Sequence, residues 1–73
     1  STTRLRTIVN EELEKIATKV VELSEKVSDK VIKIKLEEVK KAIKPVSNKE
    51  KIGDTHLVNL MQYYELVHEL ETI

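Results

Sequence analysis

The stretch whose reading decides the fold is Asp54-Thr55-His56-Leu57-Val58-Asn59-Leu60-Met61-Gln62-Tyr63-Tyr64-Glu65-Leu66-Val67-His68-Glu69-Leu70-Glu71-Thr72-Ile73. Wound as a helix at ~100° per residue, it places Leu57, Leu60, Met61, Tyr63, Tyr64, Val67 and Leu70 on an arc of about 180°. A surface helix needs a stripe of only about 100°. Val58, Leu66 and Ile73 fall outside even the wide arc. Such a helix requires cover on two sides, or a partner chain, and no other segment is as apolar. It is the element on which the others are expected to pack.

Immediately upstream, Asp54 is the expected N-cap of this helix. Residues 45–54 form the one linker-like stretch, bounded by the single Pro45 and holding the single Gly53. Ser47-Asn48-Lys49-Glu50 has capping-box spacing and predicts a short helical turn closed by Gly53. Pro45 ends the element before it, because proline pushes the preceding residue out of α geometry. That element carries Ile32, Leu36, Val39, Ile43 and Val46 at spacings of 4, 3, 4 and 3, which predicts a helix over about 30–43. Val31-Ile32-Lys33-Ile34-Lys35-Leu36 also alternates as a strand would, with Ile32, Ile34 and Leu36 on one face. Helix is the preferred reading, since a lone strand has nothing to pair with unless a second chain supplies it.

The first forty-four residues contain neither Gly nor Pro. Thr2 or Thr3 can cap the first helix. Val9, Leu13, Ile16, Val20, Leu23 and Val27 then follow at 4, 3, 4, 3 and 4, a seam about two and a half heptads long and short of a true coiled coil. Beyond Ser28-Asp29 the seam changes phase. A new N-cap at either residue accounts for the shift; one bent helix from about 4 to 43 is the competing account. A helix over 3–27 is about 37 Å long, against about 21 Å for 30–43 and about 26 Å for 55–71. The two shorter helices must then pack end to end along the first, or a second copy must cover the remainder. The expected fold is all-α: two or three helices (about 3–27, 30–43 and 55–71) in a small antiparallel bundle, one domain over 1–73, completed by oligomerisation.

Composition agrees with a small core that needs help. At 73 residues, with Tyr63 and Tyr64 the only aromatics, stability must come from Leu, Ile and Val packing or from association. Eleven Lys and eleven Glu against three Asn and one Gln resemble the usage of hyperthermophile proteins. The absence of Cys excludes disulfides and thiolate metal sites and suits a reducing compartment such as the cytoplasm. No apolar run has the length of a membrane span, and no signal-peptide h-region follows Ser1; a start at Ser1 fits loss of an initiator Met and equally a trimmed chain.

The net charge of zero hides a segregation. Residues 1–25 sum to −1, residues 26–51 to +5, and residues 52–73, with no Lys or Arg, to −4. The ordinary expectation is that the basic middle lies against the acidic end. The sharper one is a patch for a partner. Lys30, Lys33, Lys40, Lys41 and Lys44 fall in a stripe opposite the apolar face of the second helix, interrupted by Glu37 and extended by Lys49, Lys51, Arg4 and Arg6. Such a stripe suits salt-sensitive, sequence-tolerant contact with phosphates, although it has no Arg on the helix and no interleaved aromatic for stacking.

Catalytic chemistry finds little to stand on. Glu65 and His68 stand at i, i+3, half of the metal-binding pattern of ferritin-like bundles. Only one such motif exists per chain, so His68 is expected to be a partly buried histidine beside Met61 and Tyr64, and neither metal nor cofactor is expected. His56 lies in the first turn of the last helix with no nucleophile beside it. Ser24, Ser28 and Ser47 lack a Gly-rich elbow, and no phosphate-binding fingerprint is present. Helix-turn-helix, ribbon-helix-helix and ferritin-like signatures match over no more than a few residues. The expectation is a non-enzymatic accessory subunit that docks on itself or on a larger protein through the last helix. Leu60, Tyr63, Tyr64 and Val67 are expected at the centre of that contact, with Leu57, Met61 and Leu70 around them. The alternative is a nucleic-acid-binding protein that uses the lysine stripe.

Overall fold

The computed structural model describes residues 1–72; Ile73, placed by its spacing outside the apolar arc, lies outside the described residues. The chain is all-helical, with α1 over Thr2–Lys26, α2 over Lys30–Ala42 and α3 over Asp54–Glu71. No strand occurs among the described residues.

The first helix is capped one residue earlier than Thr2 or Thr3: the Ser1 hydroxyl accepts the Arg4 N–H at 3.3 Å. Its seam behaves as the spacing requires, since Val9, Leu13, Ile16, Val20 and Leu23 are all buried. The helix stops where Val27 turns extended, at ψ 143°. Two residues on, the Asp29 carboxylate accepts the N–H groups of Val31 at 2.8 Å and Ile32 at 3.1 Å. Those are orphan donors of a new helix N-terminus. Two helices, not one bent rod, therefore explain the change of phase. Residues 31–36 are helical, so Leu36 is fully buried while Ile34 is left 62 % exposed.

The second helix ends at Ala42, because Ile43 is already extended at φ −79°, ψ 100°. The chain does not then leave the surface of α1. Val46, beyond Pro45, is only 6 % exposed and packs with Val9 and Leu13. Asn10 holds it there. Its amide Nδ2 donates to the Val46 carbonyl at 3.1 Å and its Oδ1 accepts the Val46 N–H at 2.8 Å, a pairing like that of two strands made by one side chain. Arg6 adds a bond from its Nη2 to the Glu50 carbonyl at 2.5 Å. Ile43, Val46 and Ile52 thus cover the N-terminal half of the seam. The extended segment shares this stretch of α1 with α3, whose Leu60 and Tyr63 pack on the same cluster, so α2 and α3 lie at staggered levels along α1 and residues 45–54 are part of the core as well as a connection.

The capping-box spacing at Ser47–Glu50 makes a single turn and no helix. Glu50 Oε1 accepts the Ser47 N–H at 3.3 Å, and Ser47 Oγ accepts the Lys49 N–H at 3.3 Å. Gly53 does not close this turn. Extended at φ −157°, it is the N-cap of α3, with Asp54 the first helical residue in place of the expected cap. His56 supplies the missing cap from inside the helix, its Nδ1 accepting the Gly53 N–H at 3.1 Å.

α3 runs parallel to α1: the Tyr64 hydroxyl donates to Glu12, and further along Lys19 pairs with Glu71 at 3.7 Å. α2 runs back along α1 in the opposite sense. One core cluster joins Ile16, Val20 and Leu23 to Leu36, Val39 and Val67; the other joins Val9, Leu13 and Val46. Ile43, Leu60 and Tyr63 pack against both. The result is elongated, 42 × 17 × 15 Å, with α1 as its long axis. Its radius of gyration of 13.1 Å exceeds the ~11 Å of a compact chain this size. No helix among the described residues is long and apolar enough to cross a membrane.

Candidate functional site

The seven residues singled out on the last helix divide. Val67 is buried in the first core cluster, and Leu60, Tyr63 and Leu70 pack against it, joined by Leu66 from outside the expected arc. The Tyr63 hydroxyl also reaches the carbonyl of Ala42, the last residue of α2, at 3.4 Å. Those side chains hold the bundle together. Leu57, Met61 and Tyr64 remain outside, 37, 63 and 42 % exposed, with Val58 beside them at 50 %. Positions 57, 61 and 64 recur at i, i+4 and i+7, so they form one line along the helix. The parallel register brings Ile8, one turn before Glu12 on α1 and 45 % exposed, level with Leu57 and Met61. The outcome is an exposed apolar strip on α3 with one residue of α1 at its edge.

The strip has an acidic border. Asp54, Glu65 and Glu69 share a line with Val58 on the side away from the core, at spacings of 4, 7 and 4. All three carboxylates are exposed, and none of them has a cation within ion-pair reach among the described residues. On the α1 side the strip is pinned by Tyr64. Its bond to Glu12 holds that carboxyl below the ordinary carboxylate range, with Lys15 at 3.3 Å from Glu12 adding to the effect. The same bond pushes the Tyr64 hydroxyl up to about 12, since losing the proton would place two anions together.

His68 is exposed, not partly buried, and stands at the edge of a shallow groove with Tyr64, Lys15, Lys19 and Glu71. No third His, Asp or Glu gathers with Glu65 and His68 among the described residues. His56 is tied to the α3 cap, its Nε2 lying 3.7 Å from Glu50. Of the serines, Ser24 donates to the carbonyl of Val21 at 2.9 Å and Ser47 accepts within its turn, which are local backbone roles.

The lysine stripe is intact in part. Lys30, Lys33, Lys40 and Lys41 are exposed on the outer side of α2. Lys44 is not on that helix: beyond the extended Ile43 it borders a small depression with Val46, His56, Asn59 and Tyr63. Arg6 is turned inward to Glu50, which removes it from any outer stripe, while Arg4 remains exposed. The expected neutralisation by the acidic end does not take the form of ion pairs. Among the described residues the only pair between separate helices is Lys19–Glu71, from α1 to α3. The lysines of α2 and the acids of α3 face solvent on opposite charge terms. Ile34 and Val31, 62 and 75 % exposed, lie on the same outer surface of α2.

Sequence reading missed Asn10, which with Arg6 and the burial of Val46 holds the segment after α2 on α1, and Ile8. Neither carried a signal: an Asn in a Lys- and Glu-rich helix reads as surface, and Ile8 stands one residue before Val9, out of phase with the seam. Comparison with protein-family models, curated proteins and solved structures finds no match to this chain.

Proposed function

We propose that this chain is a small non-enzymatic interaction module that docks, on a second copy or on a larger protein, through the outer strip of α3. The observation that carries the reading is the strip itself: Leu57, Val58, Met61 and Tyr64 stay exposed after the fold has used the rest of the helix. Contiguous apolar surface rimmed by polar groups marks contact sites, and an aromatic flanked by aliphatics is a favoured anchor. Met61 and Tyr64 are the expected centre. Leu60 and Val67 act indirectly, by setting the rotation of α3 on α1.

Met61→Asp tests this. At 63 % exposure the substitution is expected to leave helicity, and the melting temperature at high dilution, unchanged while abolishing association, read as mass in solution or as loss of a co-purifying partner. Unchanged association would remove the reading. Leu60→Asp is unsuitable, because Leu60 packs against both core clusters and its loss damages the fold.

The second reading is phosphate contact by α2, favoured by the free lysines at 30, 33, 40 and 41. It predicts an oligonucleotide mobility shift that weakens steeply from about 50 to 200 mM salt. No shift at the lower salt would end it.

A further inference from the structure

We infer that the occupant of the α3 strip is the outer face of α2 in a second copy of this chain, joined head to tail. The inference rests on the docking reading above and commits it to one partner. Two surfaces are left open by the fold, and they complement each other. The first is apolar with an acidic outer rim: Leu57, Met61 and Tyr64, continued by His68, are bordered away from the core by Asp54, Glu65 and Glu69, while on the α1 side Lys15 and Lys19 are already paired with Glu12 and Glu71. The second is apolar with a basic rim. Ile34 stands one turn from Lys30 and two turns from Lys41 on one line of α2, with Val31 beside it; Glu37 and Glu38 share this face, but Glu38 is already paired with Lys35 at 3.8 Å, so the cations remain in excess.

Within one copy the two surfaces do not meet, and no lysine of α2 pairs with an acid of α3 among the described residues. Direct ion pairing within one copy is therefore not how the segregated charge of α2 and α3 is used. Between copies, bringing the α2 surface onto α3 covers exposed apolar side chains on both sides and sets Lys against Asp and Glu at the rim. Pairing α3 with α3, the symmetric alternative, would cover the same strip but oppose three carboxylates to three carboxylates. Like charges facing one another suppress that pairing. The apolar pair on α2 also separates this reading from phosphate tracking. A nucleic-acid backbone uses the lysines and has no use for Ile34 and Val31. Because the contact joins two different surfaces, a pair of copies keeps one open surface of each kind, on opposite members, so association continues into a ring or a row.

The experiment is a mixing test on the full chain. Wild type is expected to show an average mass above the 8.4 kDa of one copy, rising with concentration, with roughly tenfold weaker association in ~0.5 M than in ~50 mM salt. Met61→Asp, which blocks only the α3 surface, and Ile34→Asp, which blocks only the α2 surface, are each expected to run as single copies with unchanged circular dichroism. Mixed in equal amounts they are expected to form a one-to-one pair and nothing larger, since one intact surface of each kind remains. Reversing Lys30, Lys33 and Lys41 to Glu is expected to weaken association about tenfold, and reversing Asp54, Glu65 and Glu69 to Lys in the other copy to restore it. If Ile34→Asp associates like wild type while Met61→Asp does not, the α2 surface is not the occupant, although docking through α3 survives. If Met61→Asp associates like wild type, docking through α3 falls as well. A wild type that stays at 8.4 kDa to millimolar concentration, with or without oligonucleotide binding by the lysines, overturns self-recognition.

Discussion

Asn10 is the side chain on which the course of the chain turns. Its amide replaces a strand partner for Val46, and the two bonds span 36 residues. Asn10→Ala leaves the Val46 N–H and C=O without partners in a partly buried place. The expected cost is about 1–3 kcal/mol, read as a lower urea midpoint, with faster amide exchange at Val46 as the local signature. Tyr64 offers a second test. In the background Tyr63→Phe it is the only tyrosine, and its ultraviolet titration should centre near pH 12. The sign follows from linkage. The folded value of about 12 lies above the ordinary phenol value of 10.0, so the bond to Glu12 contributes its stability below pH 10 and loses it as pH rises through 12. A titration at the ordinary phenol value would show that the two groups are not joined. Glu12 works in the opposite sense, its lowered value giving a contribution present above pH 4.5 and lost as pH falls below that.

At the scale of elements, α2 is the piece whose reading was ambiguous. Its apolar residues fit both a period of two and a period of 3.6, and local pattern alone does not choose between them. The Asp29 cap and the seam of α1 choose helix, which buries Leu36 and turns Ile34 outward. The difference is measurable. Leu36→Ala removes a fully buried side chain and is expected to cost about 2–5 kcal/mol, whereas Ile34→Ala, at 62 % exposure, should change stability by less than about 0.5 kcal/mol. Equal effects would contradict the helical phase. α3 shows the complementary lesson. Its wide arc was legible as an excess of apolar circumference. Which part of the excess stays outside depends on the rotation of the helix against Ile16 and Val20, and no property of α3 alone sets that.

At the scale of the whole molecule, the core is small for the length of its framework. Among the described residues nine apolar side chains are buried along a body 42 Å long, and α2 and α3 each lie against α1. A chain of this size is stable by about 4–11 kcal/mol in total, so one lost core side chain is a large fraction of it. Under the proposed docking, association contributes to folding as well as to function. Because copies that dock stabilise the folded state by mass action, the melting temperature of wild type should rise with protein concentration, and that of Met61→Asp should not. Identical, concentration-independent melting of both would count against docking through α3.

The sequence by itself determined α1, α3 and the seam, because these are local, and bounded α2 while leaving strand and helix both open over residues 31–36. Apolar spacing set α1 over 2–26, α2 over 30–42 and α3 over 54–71, within about one residue of the periodic reading, and Asp29 and Pro45 marked the breaks. It also determined the segregation of charge and the surplus of apolar surface on the last helix. Tertiary structure alone decided what the chain does with them. It laid Val46 and Ile52 along the N-terminal half of α1, through an Asn10 bond between residues distant in the chain. It took Leu60, Tyr63, Val67 and Leu70 into the core and left Leu57, Met61 and Tyr64 in water. The physical reason is that periodicity specifies a helix face, whereas the direction that face points is set by neighbours that only the folded chain brings near.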